Sequence, residues 1–351
     1  NMNDFTGNKN FAISSQMVSA SCPSNIALIK YWGKYERQIP ANPSVSYTLN
    51  NCKTNTYMEF VADEKFSVQT FLSGNEEKKF AEKIEKYFRN IEEFLPWILK
   101  GKYVIKTENT FPHSSGIASS ASGFGAIAKC LMELDQQFSG LQDSDFKLRK
   151  ASFLARLGSG SACRSLYDGL VVWGATKEVE DSSDLYALQY PNDQIHEIFK
   201  HFNDWVLLIH EGEKSVSSTV GHSLMNTNPY AERRFQEAHE NFAVLKEILK
   251  TGDMQNFIKL VEHEALTLHA MMMMSEPAFI LMKTGTLAVI NKIWDYRKET
   301  GLPLFFTLDA GANVHLLFPA NSKEAIIKEF IVKELLQFTQ NNGVVKDVMR
   351  F

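Results

Sequence analysis

The chain has 351 residues, 44% of them hydrophobic and 22% charged, and 37 Lys and Arg stand against 41 Asp and Glu for a formal charge of −4. That length exceeds one ordinary core and accommodates two domains, while the charge balance excludes a general nucleic-acid binder and leaves room for a local basic pocket. The cysteines Cys22, Cys52, Cys130 and Cys163 form no C-x-x-C pair, and no run reaches the roughly 18 apolar residues that cross a bilayer, so a cytoplasmic enzyme with reduced thiols and no membrane partner is expected.

Residues 1–16 are polar and lack the charged-then-apolar order of a signal peptide, so they are expected to be a frayed leader. From Val18 the pieces "VSASCPSNIALIKYW", "SVSYTLN", "TYMEFVA" and "FSVQTFL" predict separate strands of an antiparallel sheet. Apolar residues Phe80, Ile84, Tyr87, Phe88 and Ile91 then recur at helical spacing. "KYVIKTEN" predicts a strand that runs into a Ser/Gly-rich stretch and a helix ending near "LDQQF". A polar stretch after "SLYDGLVVWGA" is the expected domain boundary, between about Pro191 and Asn203. Beyond it the strand "DWVLLIHE", three helices (231–249, 253–274 and 286–300), the strands "PLFFTLDAG" and "NVHLLFP", and a closing helix over 323–340 predict a second α+β unit.

Chemistry concentrates first between Glu108 and Leu131, where a strand meets Ser114, Ser115, Gly116, Ala118, Ser119, Ser120 and Ser122 before the helix. Small side chains let a backbone approach an anion, and the helix start offers free N–H groups. The hydroxyls add donors or a magnesium ligand. A plain capping loop would look the same, and neither a Walker loop nor a dinucleotide fingerprint is present. Lys30 lies in an apolar run, where it either snorkels to solvent or meets an anion, and strand alternation would put it on one face with Trp32 and Tyr31 on the other. His263 and His269 stand six residues apart, about 120° around a helix axis, and so cannot form the zinc pair of an H-E-x-x-H motif. Both are expected to be structural or surface residues.

"PHSSGIASSAS" resembles the phosphate loop of the GHMP small-molecule kinases. "SNIALIKYWGKYERQIPANPSVSYTL", "GSGSACRSLYDGLVVW" and "FTLDAGANVHLLF" resemble diphosphomevalonate decarboxylases, in family order and over most of the chain. The resemblance implies a two-domain α+β GHMP-kinase-like fold. A ribosomal-protein-like domain would span 17–198 and a ferredoxin-like domain 199–351, with the active site between them. It implies ATP and Mg²⁺ as cofactors, a phosphorylated mevalonate as substrate and a homodimer. Asp309 would meet the tertiary hydroxyl, Lys30 the transferring phosphoryl or the carboxylate region, and Arg164, standing where related kinases place an acid, the substrate carboxylate. Tyr31, Lys34, Ser159, Ser161, Ser217 and Ser218 would hold substrate phosphates. Asn109, Ser114, Ser115, Gly116, Ala118, Ser119, Ser120 and Ser122 would hold the nucleotide, with Ser119 and Ser120 nearest Mg²⁺.

Three positions depart from the family pattern. Pro43 stands where serine is common and Ala312 where proline is usual. An expected arginine for the diphosphate is not identifiable, and Lys78 or Lys79 is its expected substitute. Turnover of mevalonate or its monophosphate, and a catalytically silent binding role, are the alternative readings.

Overall fold

The computed structural model describes residues 1–112, 117 and 119–351. Among these, thirteen strands and eight α-helices follow one another. In chain order they are β1 (Gln16–Ile29), β2 (Lys34–Tyr35), β3 (Ile39–Pro40), β4 (Ser44–Ala62), β5 (Ser67–Leu72), β6 (Asn75–Glu76), α1 (Lys78–Asn90), β7 (Gly101–Asn109), α2 (Ser119–Ser139), α3 (Ser144–Gly158), β8 (Leu170–Trp173) and β9 (Leu188–Gln189). The second half holds β10 (Phe202–Leu207), α4 (Ser218–Ser223), α5 (Ala231–Thr251), α6 (Met254–Met273), α7 (Thr284–Thr300), β11 (Phe305–Leu308), β12 (Val314–Pro319), α8 (Glu324–Phe330) and β13 (Val344–Val348).

The amino-terminal half is built on β4, which carries β1 along its length, β7 beside its second half and β8 beside its first. All these pairings are antiparallel, and among the described residues the one parallel pair is β5 with β7. Helices α1 to α3 cover one face over a core that includes Phe60, Phe88, Trp97, Tyr103, Leu131 and Phe153. The carboxy-terminal half is an antiparallel sheet ordered β11-β12-β10-β13. Side chains alternate across it with period two. Trp205, Leu207, Leu316 and Phe318 face a core with Val289, Ile293 and Ile327. Phe202, Val206, Phe305 and Leu317 face the other way, into a core shared with Ile26, Tyr47 and Phe242. The two halves therefore meet across apolar surface, and the strand ends beside that contact form a cleft.

Four expectations change. "SVSYTLN" and "TYMEFVA" are one 19-residue strand, β4, whose register against β1 shifts after Thr48. At the shift the N–H groups of Asn50, Asn51 and Cys52 donate to the Asp347 carboxylate of β13, so a carboxylate replaces the missing ladder partners. The leader is not frayed: Phe5 is buried, stacked 4.3 Å from Phe153, and Gly7 and Ala12 donate to backbone carbonyls of Glu93 and Phe138. The closing helix is α only over α8, then continues as a π turn (Ile331–Leu335) and a 3₁₀ turn (Leu336–Phe338). Finally, β1 stops at Ile29, so 30–33 are not strand and the predicted alternation of Lys30 and Trp32 against Tyr31 does not apply.

Candidate active site between the two halves

A cavity of about 810 Å³ lies where β1, α1 and α2 of the first half meet α4, α6 and the end of β11. Among the described residues six cationic side chains line it, Lys30, Lys34, Lys83, Lys86, Arg164 and Lys214, against two carboxylates, Glu213 and Asp309. Such an excess suits a polyanionic small molecule of the size such cavities hold.

The segment after β1 is held by side chains in place of a ladder. Lys30 N–H donates to Glu264 of α6 at 2.9 Å, while the Lys30 carbonyl accepts from Asn42 at 2.9 Å and Arg234 at 3.1 Å. Arg234 and Glu264 form a bidentate pair at 2.6 Å, with side chains 1% and 0% exposed, and Asn241 donates to the same carboxylate. Gly33 turns the chain at φ +108° and donates to His222 Nδ1 at 2.9 Å. Neither Glu264, Arg234 nor His222 was singled out from sequence, because their partners are backbone groups some 190 to 230 residues away.

That frame buries Lys30 and sets its Nζ 3.3 Å from Asp309 Oδ1. Burial pulls the Lys30 ammonium below its ordinary pKa despite Asp309. For Asp309, burial alone would raise the carboxyl, but Lys30, His315 and Lys214 outweigh it and hold it below the usual range. Asp309 sits just past β11, its carbonyl accepting from His269 Nε2 at 2.9 Å. Burial holds His269 neutral, near 4, so its ring acts here as a neutral donor. His263 lies at the surface beside Glu237.

Arg164 rises from the short 3₁₀ segment Gly160–Leu166, over the Trp173 ring at 5.9 Å. Its Nε donates to Asn25 at 3.2 Å and its Nη1 to Ser44, the residue after Pro43. Neither contact uses Nη2. Gly160 is required beside it, since a Cβ there would come within 2.8 Å of Tyr31 Oη and 2.7 Å of Trp173.

Lys30, Tyr31, Lys34, Ser159, Ser161, Arg164, Ser218 and Asp309 all line the cavity, as do Ser119 and Ser120 at the start of α2. Ser217 instead caps α4, accepting from Val220 N–H. Asn109 and Ser122 are joined through the Thr54 hydroxyl at 2.6 and 2.7 Å, which ties the end of β7 to α2 below the cavity. Ser114, Ser115, Gly116 and Ala118 lie outside the described residues. Lys78 and Lys79 are exposed on the first turn of α1 and do not line the cavity. Lys83 and Lys86 do, one to two turns further along that helix, because its axis carries only its second half past the opening.

His222 lines the cavity between the rings of Tyr31 (4.4 Å) and Trp32 (4.3 Å). Burial, with Lys34 adding to it, pushes its pKa down to about 3. Since Nδ1 accepts from Gly33, the proton of the neutral ring is on Nε2, a further uncharged donor. The buried Tyr31 hydroxyl and Trp32 indole N–H lack partners among the described residues. Among the described residues no three carboxylate, His or Cys side chains converge as a metal cage. No helix of the described residues is long and apolar enough to cross a membrane.

Comparison with known proteins places these residues in a family. Residues 22–184 match the diphosphomevalonate decarboxylase-like N-terminal domain and 205–348 the mevalonate 5-diphosphate decarboxylase C-terminal domain. The diphosphomevalonate decarboxylase of Ganoderma lucidum is 30% identical over 92% of this chain and 82% of its own. The mevalonate diphosphate decarboxylase structure from Staphylococcus aureus superposes with a TM-score of 0.80 at 28% identity, covering 95% of this chain and 96% of that one. A complex of MDDEF with MVAPP, AMPPCP and magnesium gives 0.80 at 26% identity, over 96% and 98%.

Proposed function

The chain belongs to the diphosphomevalonate decarboxylase family, and from that premise we propose that it catalyses ATP-dependent decarboxylation of mevalonate 5-diphosphate to isopentenyl diphosphate, ADP, phosphate and CO₂. The observation that supports this most is the juxtaposition of Asp309, Lys30 and Arg164 on one wall of a cation-rich cavity between the halves.

A 3-hydroxy acid does not lose CO₂ readily, because hydroxide is a poor leaving group. Mg·ATP, when bound, supplies the phosphoryl group that turns the tertiary hydroxyl into a good one. Asp309 accepts the hydrogen bond of that hydroxyl, orients it and takes up its proton as the phosphoryl group is transferred. Lys30, fixed by Glu264 and Arg234, places its ammonium against charge developing on the transferring group. The free edge of Arg164 holds the substrate carboxylate in line for cleavage of its C–C bond, whose electrons form the alkene as phosphate departs. Lys34, Lys83, Lys86, His222 and Ser218 face the remaining end of the cavity and would hold the diphosphate. The serines opening α2 would hold nucleotide phosphates. Four buried, unpaired cysteines accord with a reducing compartment, and a cytoplasmic homodimer is part of the same reading.

The test compares kcat/KM for mevalonate 5-diphosphate, the 5-monophosphate and mevalonate at matched ionic strength. Lysines clustered for two phosphates repel one another around one, so the diphosphate is expected to be preferred. Equal or better turnover of the monophosphate would replace the substrate assignment with the phosphomevalonate reading.

A further inference from the structure

Behind Asp309 lies a second buried pair with no part in the scheme above. Asp204 of β10 and His315 of β12 project from the sheet face that meets the shared core. Their strands are in register with Val206 opposite His315 and Leu317 opposite Asp204, so the two are diagonal neighbours on one face. Their side chains are 0% and 2% exposed. His315 Nδ1 lies 3.0 and 2.9 Å from the two Asp204 carboxylate oxygens, and its Nε2 lies 3.9 Å from Asp309 Oδ2. Lys30 stands at the other oxygen, Oδ1. Each oxygen of Asp309 thus has its own basic neighbour, one from each half of the molecule.

Resting on the reading that Asp309 meets the substrate hydroxyl, we propose that Asp204 and His315 are positioning residues for it. Asp204 holds His315 as an imidazolium, and that cation fixes Oδ2 of Asp309 and keeps the carboxylate ionised where it must accept a hydrogen bond. A buried ion pair is expensive compared with an apolar pair of the same shape, and here the second cation-to-carboxylate contact gives it a use.

Burial raises the Asp204 carboxyl above its ordinary pKa although His315 opposes the rise, so the short Nδ1 contacts carry the pairing. Burial would lower the His315 pKa, but Asp204, with Asp309 adding to it, raises it above its ordinary value. The other charges around the array are few. Lys30 opposes protonation of His315, and Lys214, from the loop after β10, lowers Asp309 further. Arg164 and Asp309 attract each other, and His269 donates to the Asp309 carbonyl. Asp347 lies behind Asp204 with its carboxylate engaged by four backbone N–H groups, those of Asn50, Asn51, Cys52 and Val348. Removing the His315 cation lets the Asp309 carboxyl pKa rise, so activity is lost at higher pH on the acid side. A cation at this range depresses a carboxyl by about 1 to 3 units.

The experiment uses the full chain, with pH profiles of kcat/KM for the wild type, His315→Gln and Asp204→Asn, and ¹⁵N-histidine NMR of the same proteins and of Asp309→Asn. His315→Gln is expected to move the acid limb up by about 1 to 3 pH units, with Asp204→Asn moving it the same way. At neutral pH the wild-type His315 should carry protons on both ring nitrogens, and its pKa should fall in both Asp204→Asn and Asp309→Asn. An acid limb unmoved in His315→Gln, even with a lower kcat, would make the pair merely structural and overturn the proposal. So would a neutral His315 in the wild type, a result that can be read whether or not a variant is active. A wild type that turns over no mevalonate species would defeat the activity reading instead, and the NMR titration would still decide whether the pair charges Asp309.

Discussion

Replacing Glu264 by Gln changes one atom's chemistry at the point where the two halves grip Lys30. The wild-type carboxylate accepts from Lys30 N–H, from Arg234 twice and from Asn241, all within 2.6 to 2.9 Å, with no exposure of its side chain. Glutamine retains a single acceptor oxygen and turns an NH₂ toward donors, leaving buried Arg234 with only the more distant Glu237, at 3.7 Å, as a charge partner. Breaking one side of a buried pair costs about 3 to 5 kcal/mol, which lowers the folded-to-unfolded ratio by roughly a hundredfold to several thousandfold at 1.4 kcal/mol per tenfold. Losing the Lys30 anchor should also displace its ammonium, and a misplacement of about 1 Å can cost on the order of a hundredfold in rate. Urea denaturation followed by fluorescence, with kcat measured on the fraction still folded, separates the two effects. Adding Arg234→Met to the same chain removes that charge and should restore part of the stability without restoring kcat. A loss below about 1 kcal/mol, the range of an exposed pair, together with an unchanged kcat, would refute the claim that this pair fixes Lys30.

Three further outcomes follow from the cavity wall. Asp309→Asn should lower kcat by at least about a hundredfold while leaving nucleotide affinity, measured by calorimetry, nearly unchanged; near-normal ADP release would remove Asp309 from its role. Arg164→Lys keeps the charge but cannot reproduce contacts to Asn25 and Ser44 together with a free donor edge, so CO₂ yield should fall sharply, and an unchanged yield with unchanged KM would make Arg164 structural. Lys83→Met should raise KM for the diphosphate more than for the monophosphate, whereas Lys78→Met should alter neither, and steady-state kinetics of the pair would expose an error in assigning the phosphate end.

Local patterns carried much of the sequence reading. The helices over 231–300 were legible because helical patterning is local, and Asp253, where the second was expected to begin, is the N-cap of α6 and accepts from Asn256 N–H. Lys30, Arg164 and Asp309 were legible only as fragments of matching motifs, since nothing in their own neighbourhoods marks them as meeting. What remained hidden depends on contacts remote in sequence. The leader docks because Phe5 finds Phe153, and a single aromatic in a polar stretch does not announce its partner. The stretch 30–33 leaves the sheet because Glu264, Arg234 and His222 satisfy its backbone, which strand propensity cannot foresee. Lys83 was passed over for Lys78 and Lys79 because which turn of α1 meets the cavity is decided by packing of the helix, not by its composition. His315 and Asp204 read as ordinary residues of apolar strands, and only the diagonal register of β10 and β12 brings them beneath Asp309.

The central claim is that one phosphoryl transfer is coupled to one decarboxylation. Incubating the protein with Mg·ATP and mevalonate 5-diphosphate labelled with ¹³C at its carboxyl carbon, and following ADP and labelled CO₂ in the same reaction, tests that most directly. The account predicts that both appear at equal rates, in a one-to-one ratio, with none of either when substrate or ATP is omitted. ADP formed without CO₂ would show a kinase that stops at the phosphorylated acid, and CO₂ formed without ADP would contradict the coupling altogether.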